Sequence, residues 1–170
     1  MSEAVGAERP GTQSGGTAAD GAGPGGATGG GPGGGEPGPA RRVSVELPGF
    51  AHANPIPAAS RIGPFLASGA ITGRDPVTRA MPPELARQCA NVFTHVRALM
   101  AAVGGSTDDI LKMTFRLADP RDRDALNREW LAMFPDPARR PARQSLAAEL
   151  DGAALVHCDL LAVLAAAPRG

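Results

Sequence analysis

Fifteen of the 23 glycines fall within the first forty residues, so nearly everything that can build a core lies after them. A segment this poor in apolar side chains cannot offset the conformational entropy of ordering it, and residues 1–41 read as a disordered Gly/Pro-rich tail. The glycines keep no three-residue period, which argues against a collagen-like helix. The fold is thereby confined to one domain over residues 42–166, a length that a single hydrophobic core ordinarily fills.

Within that domain the periodicity changes several times. Val43-Ser44-Val45-Glu46-Leu47 alternates apolar and polar as a half-buried strand does, and Pro48-Gly49 stops it. Asn54-Pro55-Ile56-Pro57 has two prolines and suits an extended wall or loop rather than a ladder. Phe65 to Ile71 is apolar enough for a buried strand, with Gly69 marking a bulge or a close backbone approach, and Gly73-Arg74-Asp75-Pro76 reads as a turn. Pro82 and Pro83 suit the first turn of a helix whose stripe is Leu85, Cys89, Val92, Phe93, Val96 and Leu99.

Gly104-Gly105 ends that helix, and Ser106 with Asp109 forms a capping-box pattern. Leu111, Met113, Phe115 and Leu117 then alternate with Lys112, Thr114 and Arg116, which predicts a strand with one buried face. Asp119-Pro120 opens a second helix striped by Leu126, Trp130, Met133 and Phe134, and Pro135 and Pro137 break it. Strands over 143–150 and 155–164 close the chain, with Asp151-Gly152 read as a hairpin turn between them. The order β-β-α-β-α-β-β predicts an α/β (α+β) domain, a mixed sheet with both helices on one face. Apolar residues occur on both sides of the last strand, including Leu155, Cys158 and Leu161, so the opposite face needs a cover and an oligomer is expected.

Seventeen basic and seventeen acidic side chains cancel, leaving no summed field to draw the protein to nucleic acid or to an anionic membrane. The run Arg139, Arg140 and Arg143 reads as a solvated loop rather than a phosphate site. No stretch approaches the length of a membrane span, and the glycine-rich start fits neither a secretory signal nor a presequence. Two cysteines without such a signal are expected to be reduced, which makes the cytoplasm the expected compartment. His52, His95 and His157 have no ligand spacing, so no metal is expected. Ser68 lacks a triad signature and reads as a wall residue. His157 and Asp159 share one face of the last strand, where His157 reads equally as a packed histidine or a general base.

Ile62-Gly63-Pro64, Ser68-Gly69, Asn127, Phe134-Pro135 and Arg140-Pro141-Ala142-Arg143 follow one another in an order and spacing that resemble the RidA (YjgF-like) family over about residues 50–164. The resemblance implies a chorismate-mutase-like fold and a homotrimer, with the sheets as an inner barrel, the helices outside and ligand clefts between subunits. It implies an enamine/imine deaminase of the 2-iminobutanoate/2-iminopropanoate type, a hydrolase acting on C=N bonds without a cofactor. Arg143 looks like the family arginine that grips the substrate carboxylate, and Asn127, Ser68 and Gly69 resemble positions lining the cleft. A planar guanidinium suits this task because it pairs a carboxylate through two parallel bonds. Two glutamates that family deaminases place two apart on the last strand look here like His157 and Asp159, and the chain has no tyrosine where many relatives place a phenol. The alternative is a non-deaminating relative that binds a small carboxylate or serves one specialised pathway.

Overall fold

The computed structural model describes residues 41–47 and 55–165. The expected tail, apart from Arg41, and the positions His52 and Asn54 lie outside the described residues. Seven strands and two α-helices are seen: β1 (Arg42–Val45), β2 (Ala59–Ile62), β3 (Phe65–Ser68), β4 (Ile71–Thr72), α1 (Leu85–Ala102), β5 (Ile110–Leu117), α2 (Asp124–Met133), β6 (Ala142–Ala147) and β7 (Val156–Val163). All seven strands join one mixed sheet in the order β1-β2-β3-β7-β5-β6, with β4 also pairing with β7. The expected mixed sheet with two helices is present. The two strands expected before the first helix are four, because the stretch after Pro57 pairs as β2 and the 65–71 strand is interrupted at Gly69.

α1 forms where the apolar stripe runs, burying Cys89, Val92, Phe93, Val96, Leu99 and Met100. Pro82 and Pro83 lie ahead of the helix rather than in its first turn, since Glu84 takes the N-cap position with extended backbone. Gly104, at φ +73°, ends it: its amide donates to the Ala101 carbonyl, and that of Gly105 donates to Met100. This is the paired closure that a left-handed glycine permits. Ser106 and Asp109 then make the expected capping box, ahead of a single 3-10 turn leading into β5.

One face of the sheet carries the core. Met113, Phe115 and Leu117 of β5 stand opposite Leu160, Cys158 and Val156 of β7, and all six are buried with the inner faces of α1 and α2. The expected alternation in β5 fails at one residue. A bulge between Ile110 and Lys112 sets two β5 residues against one of β7, turning Leu111 outward to 60% exposure.

The closing pair of strands is not a hairpin. β6 runs parallel to β5 at the edge of the sheet, while β7 lies antiparallel on the other side of β5. α2 supplies the crossover that two parallel strands require, and this connection, not the Asp151-Gly152 turn, dictates where β6 lies.

Gln88 is a buried amide held from three directions. Its NH2 donates to the Pro82 and Ala153 carbonyls, and its carbonyl accepts from the Leu155 amide, tying the segment before α1 to the loop before β7. Gly73 lies so close that an added Cβ would come within 2.5 Å of the Gln88 Cβ. Gln88→Met keeps the shape but leaves a buried site without its three hydrogen bonds to part-buried backbone groups, and it should cost about 2–4 kcal/mol of stability. The measurement is the urea midpoint at unchanged m-value; a cost below about 0.5 kcal/mol would mean that water replaces the amide at no loss.

No described helix is long and apolar enough to cross a membrane. The sheet face away from the helices carries an exposed apolar patch. Ile62, Phe65, Leu111, Leu161 and Val163 are all exposed, Phe65 at 64%, and they surround a groove of about 260 Å³.

Candidate functional site

Two groups of the expected site residues form, on opposite faces of the sheet. The first sits at the edge made by β6 and α2. In the parallel ladder Arg143 stands opposite Met113, so its side chain leaves the sheet on the helix-bearing face. There its guanidinium lies over the Trp130 ring, 5.0 Å from the centroid. Trp130 is itself fixed, 6% exposed, edge-on to Phe115 and against Phe134. A cation over an indole face is held without being neutralised.

Asn127 lies one turn before Trp130 on α2, and Arg123 one turn before that, so the spacing i, i+4, i+7 puts all three on one helix face. Burial, and then the like charge of Arg123, lower the Arg143 pKa from the usual arginine value, though a guanidinium so placed stays charged at neutral pH. No carboxylate among the described residues pairs with Arg143 or Arg123. The side-chain amide of Asn127 makes no hydrogen bond among them either.

The neighbouring arginines differ. Arg121 pairs with Asp119 and Arg139 with Asp108, while Arg140 donates to the carbonyls of Phe134 and Pro135. The structure therefore separates Arg143 from the run that surrounds it in sequence.

The second group lies on the open face. His157 stands between Thr72 of β4 and Arg116 of β5, and Asp159 stands opposite Thr114. Arg116 reaches along the face to bond the Asp159 carboxylate, so that carboxylate is engaged by an arginine and not by the histidine. Burial lowers the His157 pKa; the Asp151 carboxylate opposes the shift and Arg116 adds to it. The imidazole is thus neutral at neutral pH and has a nitrogen able to accept a proton.

Ser68 and Gly69 lie at the break between β3 and β4. The ladder pairs Ala67 with Leu161 but Ile71 with Cys158, one residue extra on this side, which is the bulge that Gly69 suggested. The Ser68 hydroxyl accepts from the Leu160 amide and donates its one proton to the Gly69 carbonyl, and the Gly69 amide donates to Ala58. Ser68 splices the bulge into β7; it can receive a bond from a ligand but has no proton left to give. Burial raises both thiols, that of Cys89 to about 12, so neither cysteine offers a thiolate nucleophile. No His/Cys/Asp/Glu group able to hold a metal is found among the described residues.

Sequence reading missed two residues. Trp130 read only as helix core, yet it is the platform under Arg143; nothing short of the β5-α2-β6 crossover shows that the two meet. Arg116 read as the polar side of a strand, and its bond to Asp159 follows only from the β5-β7 register.

The family model described as Endoribonuclease L-PSP matches residues 53–164. Solved structures agree in fold. RidA from the Antarctic bacterium Psychrobacter sp. PAMC 21119 is 25% identical, covers 67% of this chain and 92% of its own, and superposes with a TM-score of 0.62. The YjgF gene product of E. coli is 21% identical, covers 71% and 98%, and gives 0.64. TdcF of E. coli, solved with bound serine, is 20% identical, covers 72% and 100%, and gives 0.65. No curated protein matches the chain.

Proposed function

Because the chain belongs to the Endoribonuclease L-PSP family of RidA- and YjgF-like proteins, we propose that it hydrolyses a reactive imine or enamine acid to a keto acid and ammonia. The observation that carries this reading is Arg143, a charged guanidinium fixed over Trp130 with no carboxylate of its own. It suits a small carboxylate, which it would grip through two parallel bonds. Asn127, on the same helix face, can hydrogen-bond the rest of the ligand.

In the reaction, water adds its oxygen to the imine carbon while a base takes its proton and the nitrogen gains one. The carbinolamine then expels ammonia as the C=O forms. His157, half-buried and with its pKa lowered by burial, would serve as the base. Asp159 acts on Arg116 rather than on the histidine.

Arg143 leaves the sheet on the helix side and His157 on the open side, so one small ligand cannot touch both within one chain. A second copy resolves this, since its open face would lie against the first copy's edge and its apolar half would cover Phe65 and Leu161. A homotrimer of the family type is the assembly proposed. The alternative, a carboxylate-binding relative without deaminase activity, is favoured by one observation: no carboxylate orients His157 among the described residues. A nucleic-acid reading gains little from arginines that are mostly bonded within the chain.

The test measures ammonia release from freshly generated 2-aminoacrylate by the parent, by Arg143→Ala, by His157→Ala, and by the two variants co-expressed. A parent no faster than buffer overturns the hydrolase reading. In randomly mixed trimers about a quarter of the clefts join an intact Arg143 to an intact His157, so activity should return in that proportion. Absence of recovery would place the two residues in separate sites.

A further inference from the structure

Arg143 is not the only uncompensated cation at this edge. Arg123 sits at the N-cap position of α2 with its Nε donating to the Pro120 carbonyl at 2.7 Å, which fixes the direction of its guanidinium. Asp122 and Asp124 flank it in sequence, yet neither forms an ion pair with it. Two turns of helix, about 10 Å of rise, separate Arg123 from Trp130, over which Arg143 lies. Asn127 stands halfway along the same face with its amide unused.

The Arg123 charge acts on Arg143, and no carboxylate among the described residues pairs with either to relieve the repulsion. Of the other arginines of this stretch, Arg121 pairs with Asp119 and Arg139 with Asp108, Arg140 donates to two carbonyls, and Arg128 lies five residues from Arg123, on a different face of the helix. Arg123 and Arg143 lie at the same helix surface, and neither has an acid partner among the described residues.

We propose that this edge takes a dianionic ligand, a short-chain acid with a carboxylate at each end, with Arg143 holding one carboxylate, Arg123 the other, and Asn127 contacting the uncharged group between them. This rests on the reading that Arg143 receives a carboxylate, and narrows the substrate to the imine of a dicarboxylic acid. An acid with an apolar tail meets no apolar wall at Arg123, an exposed guanidinium, whereas a second carboxylate meets a ready charge-assisted donor. The physical basis of the selectivity is a second charged hydrogen bond, made only by the diacid.

Titration calorimetry on the full-length protein with glutarate and with pentanoate, which differ in one carboxylate, tests it. Glutarate should bind at least about tenfold tighter. Arg123→Gln should bring the ratio close to one, and Arg123→Lys should restore part of it; Arg123 is exposed, so neither change disturbs the core. If both acids bind equally, or if Arg123→Gln leaves the preference intact while Arg143→Ala abolishes binding of both, the dianion proposal is overturned and the Arg143 reading survives. If neither acid binds, or if Arg143→Ala binds both as the parent does, both readings fall together.

Discussion

Phe115→Ala should destabilise the fold by about 3–5 kcal/mol, the range for removing a fully buried aromatic side chain. Phe115 is the middle of an aromatic row: it stacks on Phe93 with ring centroids 5.7 Å apart and stands edge-on to Trp130 at 6.2 Å, and Trp130 packs on Phe134 at 4.6 Å. Truncation opens a cavity where α1, α2 and the sheet meet, and the rings around it cannot close it without moving both helices. Phe115→Leu should cost clearly less, because most of the volume remains. Urea unfolding at constant m-value measures both. The variant also removes the support beneath Trp130, so carboxylate affinity should fall at Arg143, which lies over that ring. A cost below about 1 kcal/mol would show that the row is not the centre of the core.

Arg143→Ala should leave the fold intact while weakening carboxylate binding by about 2–4 kcal/mol, roughly thirtyfold to a thousandfold. The side chain is exposed at the edge of the sheet, and what it gives the fold is its contact with Trp130, a term of about 0.5–1 kcal/mol at such a site. Arg143→Lys should recover only part of the affinity, since an ammonium offers no planar fork to a carboxylate or to the indole. His157→Ala separates catalysis from binding: a chain that uses the imidazole as base loses turnover and keeps its affinity. Binding of pentanoate by Arg143→Ala at parental strength would remove Arg143 from any ligand site.

Both helices were legible because their stripes are long and their ends are marked, α1 by Gly104 and α2 by Pro135. The capping box at Ser106 and the bulge at Gly69 were legible for the same local reason. β2 was not, since Ala-Ser-Arg-Ile has neither alternation nor β-branched density and pairs because β1 and β3 bracket it. The hairpin reading of the last two strands failed because a turn signal states that the chain reverses, not which strand it pairs with next. Leu111 reads as a core residue in any alternating pattern, and only the register shift beside Ile110 reverses it. At the site, Arg143 was found through the Pro-Ala-Arg string. What sets it apart from the other arginines, an indole beneath it and no acid partner among the described residues, belongs to the tertiary arrangement.

The position of β7 has a kinetic consequence. It is the last strand in sequence and yet lies in the interior of the sheet, the single bridge in the ladder between β1-β2-β3 on one side and β5-β6 on the other. Before it docks, each side is an open ribbon with an unsatisfied edge. Its pairings reach back across most of the domain, from Val163 to Phe65 and from Val156 to Leu117, so contact order is high and collapse of the helices alone cannot complete the ladder. On the ribosome the nascent domain must therefore wait, its two half-sheets exposed, until residues 156–163 have left the exit tunnel, and closure then takes place as one late cooperative step.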